Sequence, residues 1–93
     1  MSDESQSADE IMAPNIHQSV ASAVQDAADL LRNISTIETT VIGVASAKWI
    51  AEPANVLYKE IIDNAKENIQ FAAENLKTVG DAGADVLKAL KPD

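Results

Sequence analysis

The chain has no cysteine, a single histidine and three aromatic residues, Trp49, Tyr58 and Phe71, in 93 positions. Without cysteine there is no disulfide scaffold, thiolate metal site or thiol nucleophile. A lone histidine, His17, excludes imidazole-pair metal sites and leaves little for general-base chemistry. Seven Lys and Arg face fifteen Asp and Glu, a net charge of −8. The clustered cations that grip nucleic-acid phosphates are therefore missing. Long apolar runs are missing too. The richest stretch, Val41 to Ala51, is cut by Gly43, Ser46 and Lys48, short of the ~18 apolar residues a membrane span needs. The opening Met1-Ser2-Asp3-Glu4 has neither a basic segment nor an apolar core, so the expectation is a cytoplasmic chain with no targeting signal and no membrane span.

What is present is alanine and aliphatic side chains. They carry a hydrophobic fraction of 46% although aromatics supply only 3%. Such a chain builds a thin helical interface rather than a thick core. Residues 1–14 read as a disordered acidic arm, because Asp3, Glu4, Asp9 and Glu10 are accompanied by no base. That arm holds half of the net charge. Residues 15–93 read as a single α-helical domain. Pro14-Asn15 has the chemistry of a helix entrance, with a proline suited to the first turn and an asparagine suited to the cap.

From there apolar residues alternate in steps of four and three. The first run is Ile16, Val20, Ala23, Ala27, Leu30, Ile34, Ile37, Val41 and Val44; the second is Tyr58, Ile62, Ala65, Ile69, Ala72, Leu76, Val79, Gly83, Val86 and Leu90. A sustained 3.5-residue repeat is the signature of a coiled-coil-like seam. Two runs of similar length separated by Ala51-Glu52-Pro53-Ala54 predict a long antiparallel helical hairpin, with Pro53 in the first turn of the second helix. Local chemistry leaves alternatives open. The β-branched stretch Ile34–Val44 also suits a strand, and Ser35 with Glu38 could restart a helix as a capping box. Gly80 and Gly83 each cost about 1 kcal/mol against Ala in a helix, so a break or kink is expected near Gly80.

An aromatic-poor hairpin buries little, so surplus apolar residues need cover. Either the chain folds into three or four helices, or those residues contact other copies. The interface candidates are Leu30, Ile34, Ile37, Val41, Trp49, Tyr58, Ile62, Ile69, Phe71 and Leu76. Trp49 ends the first arm; it either plugs the hairpin end against Tyr58 or anchors a partner, since interface hot spots favour Trp and Tyr. No catalytic, cofactor-binding or metal-binding residue is assigned. Asp26 and Asp29 share a helix face, as do Asp63 and Glu67, but they lack the calcium-loop pattern and the histidines of di-iron bundles. Asp63–Lys66 and Glu74–Lys77 are spaced to pair along the second helix. Gly80-Asp81-Ala82-Gly83 lacks the Gly-Lys-Ser/Thr ending of a phosphate loop, and no serine has a His–Asp setting.

The progression Pro53-Ala54, Leu57-Tyr58 and Ala72-Ala73-Glu74-Asn75, with Gln18 and Ala23-Val24 upstream, resembles the RebB-type structural proteins of bacterial R-bodies. It departs from them in being rich in Lys and Glu where that family is rich in Gln. The resemblance implies cytoplasmic self-assembly into a coiled ribbon that extends on acidification, with fifteen carboxylates as the proton-sensitive set. The residues themselves point to a non-enzymatic helical protein that self-associates as a homo-oligomer or polymer. Two other readings are an amphipathic coat resembling phasins and an acidic adaptor or immunity-type module binding another protein.

Overall fold

Glu52-Pro53-Ala54-Asn55-Val56 breaks the helical pattern once, and the chain folds back there. The computed structural model describes the backbone of residues 2–90 and the side chains of residues 12–90. Helix α1 runs from Ser2 to Ala51 and helix α2 from Leu57 to Ala89. They form an elongated hairpin, 74 × 18 × 13 Å, and no strand occurs among the described residues. The expected hairpin is therefore present, as two helices rather than three or four.

Helix α1 does not begin at Pro14. Its backbone runs from Ser2 through the acidic segment and through the proline; the side chains of residues 1–11 lie outside the described ones. Nothing from Ser2 to Ala13 is a glycine or a second proline, and acids at a helix start favour the positive end of its dipole. Pro14 itself costs about 3 kcal/mol in a helix interior, because it lacks an N–H and crowds the carbonyl four residues back.

The stretch Ile34–Val44 is helical, not a strand and not a restart. The Thr36 hydroxyl donates to the Arg32 carbonyl and the Thr40 hydroxyl to the Thr36 carbonyl, each at 3.0 Å. These bonds to the preceding turn let β-branched threonines stay on a helix. Pro53 lies in the turn, not in the first turn of α2. The N-cap, Val56, makes no side-chain cap bond; one residue earlier the Asn55 Oδ1 accepts the Leu57 N–H at 3.1 Å, an Asx turn that satisfies one of the free donors of the helix start.

Helix α2 also continues through Gly80 and Gly83. Gly83 is buried and faces Val20; a Cβ built on it would lie 2.6 Å from Val20 Cγ1. The second glycine is thus a point of close helix approach, not a break. The hairpin closes on its smallest side chains. Its buried residues are Ala27, Ala45, Ala65, Ala72, Gly83 and one large aliphatic, Ile62, which suits the short end of helix–helix distances. The same register puts Leu90 level with Ala13, so α1 begins beyond the end of α2.

The α2 seam is the expected one up to Gly83, with Val86 and Leu90 exposed beyond it. On α1 only half of the expected seam faces α2. Val20, Ala27, Ile34 and Val41 do so, joined by Val24, Leu31, Glu38 and Ala45 in place of Ala23, Leu30, Ile37 and Val44. Both sets repeat every seven residues, but the line that faces α2 carries Glu38 where the other is wholly apolar, so apolar spacing alone favours the line that the structure leaves outside.

Candidate functional site

Leu30, Ile37 and Val44 form an exposed aliphatic line along α1, and Ile37 keeps 58% of its surface open. Ala23 extends the line by one more heptad and is exposed as well. Seven residues of helix advance about 10.5 Å, so these side chains stand one above another on one edge of the hairpin. Two apolar grooves between the helices open beside this line. One, of about 400 Å³, is lined by Val41, Val44, Ala45, Tyr58 and Ile61 together with Thr40 and Lys48. The other, of about 380 Å³, lies farther from the turn, between Ile16, Val20 and Ala23 on α1 and Val79, Gly83 and Val86 on α2.

Near the middle of the hairpin a polar contact crosses between the helices at the rim of the seam. Asn68 donates its amide N–H to Glu38 Oε2 at 2.6 Å across the two helices. Glu38 is half-buried, in phase with Leu31 and Ala45. The bond crosses at the exposed rim of the seam rather than within it, since Asn68 is exposed.

At the turn, Glu52 collects two donors on Oε2: the Tyr58 hydroxyl at 3.2 Å and the Asn55 amide at 3.4 Å. Desolvation, then the Glu52 charge and the hydrogen bond to it, raise the Tyr58 hydroxyl above the usual tyrosine range. The Trp49 indole N–H donates to the Pro53 carbonyl at 3.2 Å. Trp49 therefore braces the turn through the backbone. Its ring borders a shallow surface of Ser46, Ile50 and Pro53, away from the groove that Tyr58 lines.

The ten candidate residues divide by these contacts. Tyr58, Ile62, Ile69 and Leu76 on α2, and Ile34 and Val41 on α1, serve the hairpin seam and are buried or half-buried. Trp49 serves the turn. Leu30 and Ile37 lie exposed on the edge of the hairpin beside the seam, and Phe71 is exposed on α2 with 68% of its surface open. Sequence reasoning missed Glu38, Asn68, Glu52 and Asn55. Glu38 had a signal in its seven-residue spacing from Leu31 and Ala45; Asn68 had none.

The ion pairs also differ from those the spacing suggested. Lys59 reaches Asp63 at 2.7 Å and Lys77 reaches Asp81 at 2.8 Å, both with the base four residues ahead of the acid. The Lys59 hydrogen bond holds the Asp63 carboxyl below its usual range, and the same contact raises the Lys59 ammonium. Among the described residues no three His, Asp or Glu converge as a metal set, His17 is exposed, and no helix is long and apolar enough to cross a membrane.

The chain matches no protein-family model, no curated protein and no solved structure.

Proposed function

We propose that this chain works by self-association, as a non-enzymatic helical structural subunit. One observation carries the reading. The hairpin buries almost nothing but alanine, while Leu30, Ile37 and Val44, a seven-residue repeat of large aliphatics, are left on its surface. A heptad line is the pattern by which one helix meets another, and α2 does not use it. Apolar side chains scattered singly on a surface need no explanation, whereas a continuous strip rimmed by polar residues marks an interaction face. A homo-oligomer or polymer in the cytoplasm is the form this reading takes. Assembly that responds to acid, as in R-body-type ribbons, is its finer version.

Sedimentation equilibrium over about 1–100 μM is the test. The expected result is a mass that rises with concentration above 9.9 kDa. A strict monomer across that range removes the reading.

A further inference from the structure

Helix α1 places its exposed line symmetrically about one residue. Leu30 lies seven positions before Ile37 and Val44 seven after it. Asp26 lies eleven before and Lys48 eleven after. All five are exposed, and among the described residues neither Asp26 nor Lys48 makes an ion pair within the chain. If a second α1 runs antiparallel with Ile37 opposite Ile37, then Leu30 meets Val44 twice and Asp26 meets Lys48 twice. A parallel pairing in register would instead set Asp26 against Asp26 and Lys48 against Lys48. Charge complementarity thus selects one direction and one register.

We propose that two copies of this chain form an isologous antiparallel dimer through the exposed α1 face, with the two-fold axis at Ile37 and each Asp26 paired with the second copy's Lys48. The proposal rests on the self-association reading and names its partner and geometry. Area alone would not sustain an α1–α1 contact. From Asp26 to Lys48 the helix runs about 33 Å and is about 10 Å wide, a footprint below what a stable interface buries. The two-fold makes up the difference. It keeps both copies of α2 on the same side of the α1 pair, so the assembly closes toward an antiparallel four-helix bundle. It also sets the second copy's turn end, with its exposed Leu57, about level with Val79 and the groove between Val20 and Val86. The apolar end of one hairpin then covers the apolar groove of the other.

Because the chain has no cysteine, single substitutions report the axis directly. Oxidation of the full chain carrying Ile37→Cys is expected to give a covalent dimer. Leu30→Cys alone, whose symmetry mate would lie about 21 Å away, is expected to remain uncrosslinked, since a disulfide needs Cα atoms within about 7 Å. An equimolar mixture of the Leu30→Cys and Val44→Cys chains is expected to give the mixed dimer. Self-crosslinking of Leu30→Cys, or no crosslinking of Ile37→Cys in a chain that sediments as an oligomer, overturns this geometry and leaves self-association standing. A monomer by sedimentation overturns both. Charge reversal gives an independent reading on residues that are exposed and, among the described residues, in no ion pair within the chain. Asp26→Lys or Lys48→Asp should each weaken the dimer about tenfold at low salt, and the double exchange should restore it. Equal affinity in all three variants would refute the Asp26–Lys48 pairing.

Discussion

Gly83 and Val20 approach so closely that a single methyl group on the glycine would lie 2.6 Å from Val20 Cγ1. The contact sets how near the two helices lie at the open end of the hairpin, and it reverses the usual effect of replacing a helical glycine. Alanine gains about 1 kcal/mol of helix propensity over glycine, whereas overpacking a close contact costs about 1–3 kcal/mol. Valine cannot swing aside cheaply, since its χ1 is restricted on a helix. Gly83→Ala is expected to lower stability by about 1 kcal/mol in urea unfolding. Gly80→Ala, whose Cβ would meet nothing within 4 Å, should raise it by about 0.5–1 kcal/mol. Adding Val20→Ala to Gly83→Ala should cost less than the sum of the two single changes.

The Glu38–Asn68 hydrogen bond joins the two helices at the rim of the seam, and removing either partner breaks it. Glu38→Ala and Asn68→Ala are each expected to destabilise the hairpin by about 1 kcal/mol. Together they should cost little more than either alone, because each already breaks the same bond. Additive losses in a double-mutant cycle would show that the bond contributes nothing of its own.

Much of this fold can be read from spacing. Two runs of the same repeat around Pro53 specify a helical hairpin, and the α2 line from Tyr58 to Gly83 packs as its spacing implies. Two features escaped for physical reasons. Helix α1 carries two heptad lines, one wholly apolar (Ala23, Leu30, Ile37, Val44) and one interrupted by Glu38, and the partner helix takes the interrupted one. Apolar spacing favours the other line and gives no sign that Glu38 would find Asn68 across the helices. The second is the meaning of the glycines. A propensity scale counts Gly83 as a helix breaker, while packing makes it the residue that lets Val20 in. Pro14 shows the converse limit, since its local preference for a helix start is overridden by a backbone that stays helical on both sides.

Turn stability should depend on Asn55 more than its exposed position suggests. Asn55→Ala removes the acceptor for the Leu57 N–H, and loss of that hydrogen bond costs about 1 kcal/mol. Asn55→Asp keeps the acceptor at a helix start that favours negative charge, and it should leave the melting temperature within a few degrees of the unaltered chain. Thermal unfolding followed by circular dichroism separates the two outcomes.

Tyr58 gives the chain an optical probe of its turn, because it is the only tyrosine. Its hydroxyl pKa is raised by desolvation first and then by Glu52. A group with a raised folded pKa contributes stability that is fully present below its unfolded value, about 10, and lost as pH rises through the folded one. Ultraviolet titration of the folded chain should therefore show tyrosinate forming above the usual range. Glu52→Gln should bring the midpoint back part of the way, leaving the desolvation share in place. An unchanged midpoint in that variant would mean that Glu52 does not face the hydroxyl in solution.

Acid should act on assembly and on the folded hairpin with opposite signs. The net charge of −8 at neutral pH falls to zero near the pI of 4.4, which removes repulsion between copies and favours association. Asp63 works the other way. Its pKa is depressed mainly by the Lys59 hydrogen bond, so its contribution to stability is present above the unfolded carboxylate value, about 3.9, and is lost as pH falls through the lower folded one. Between pH 7 and about 4.5 the expected result is a rising sedimentation coefficient with helicity unchanged. As pH falls through the depressed Asp63 value the Lys59–Asp63 pair is lost, and nuclear magnetic resonance titration should place the Asp63 midpoint below the ordinary aspartate range. Lys59→Met should return Asp63 to the ordinary range. A sedimentation coefficient that stays flat from pH 7 to 4.5 would show that net charge does not govern assembly.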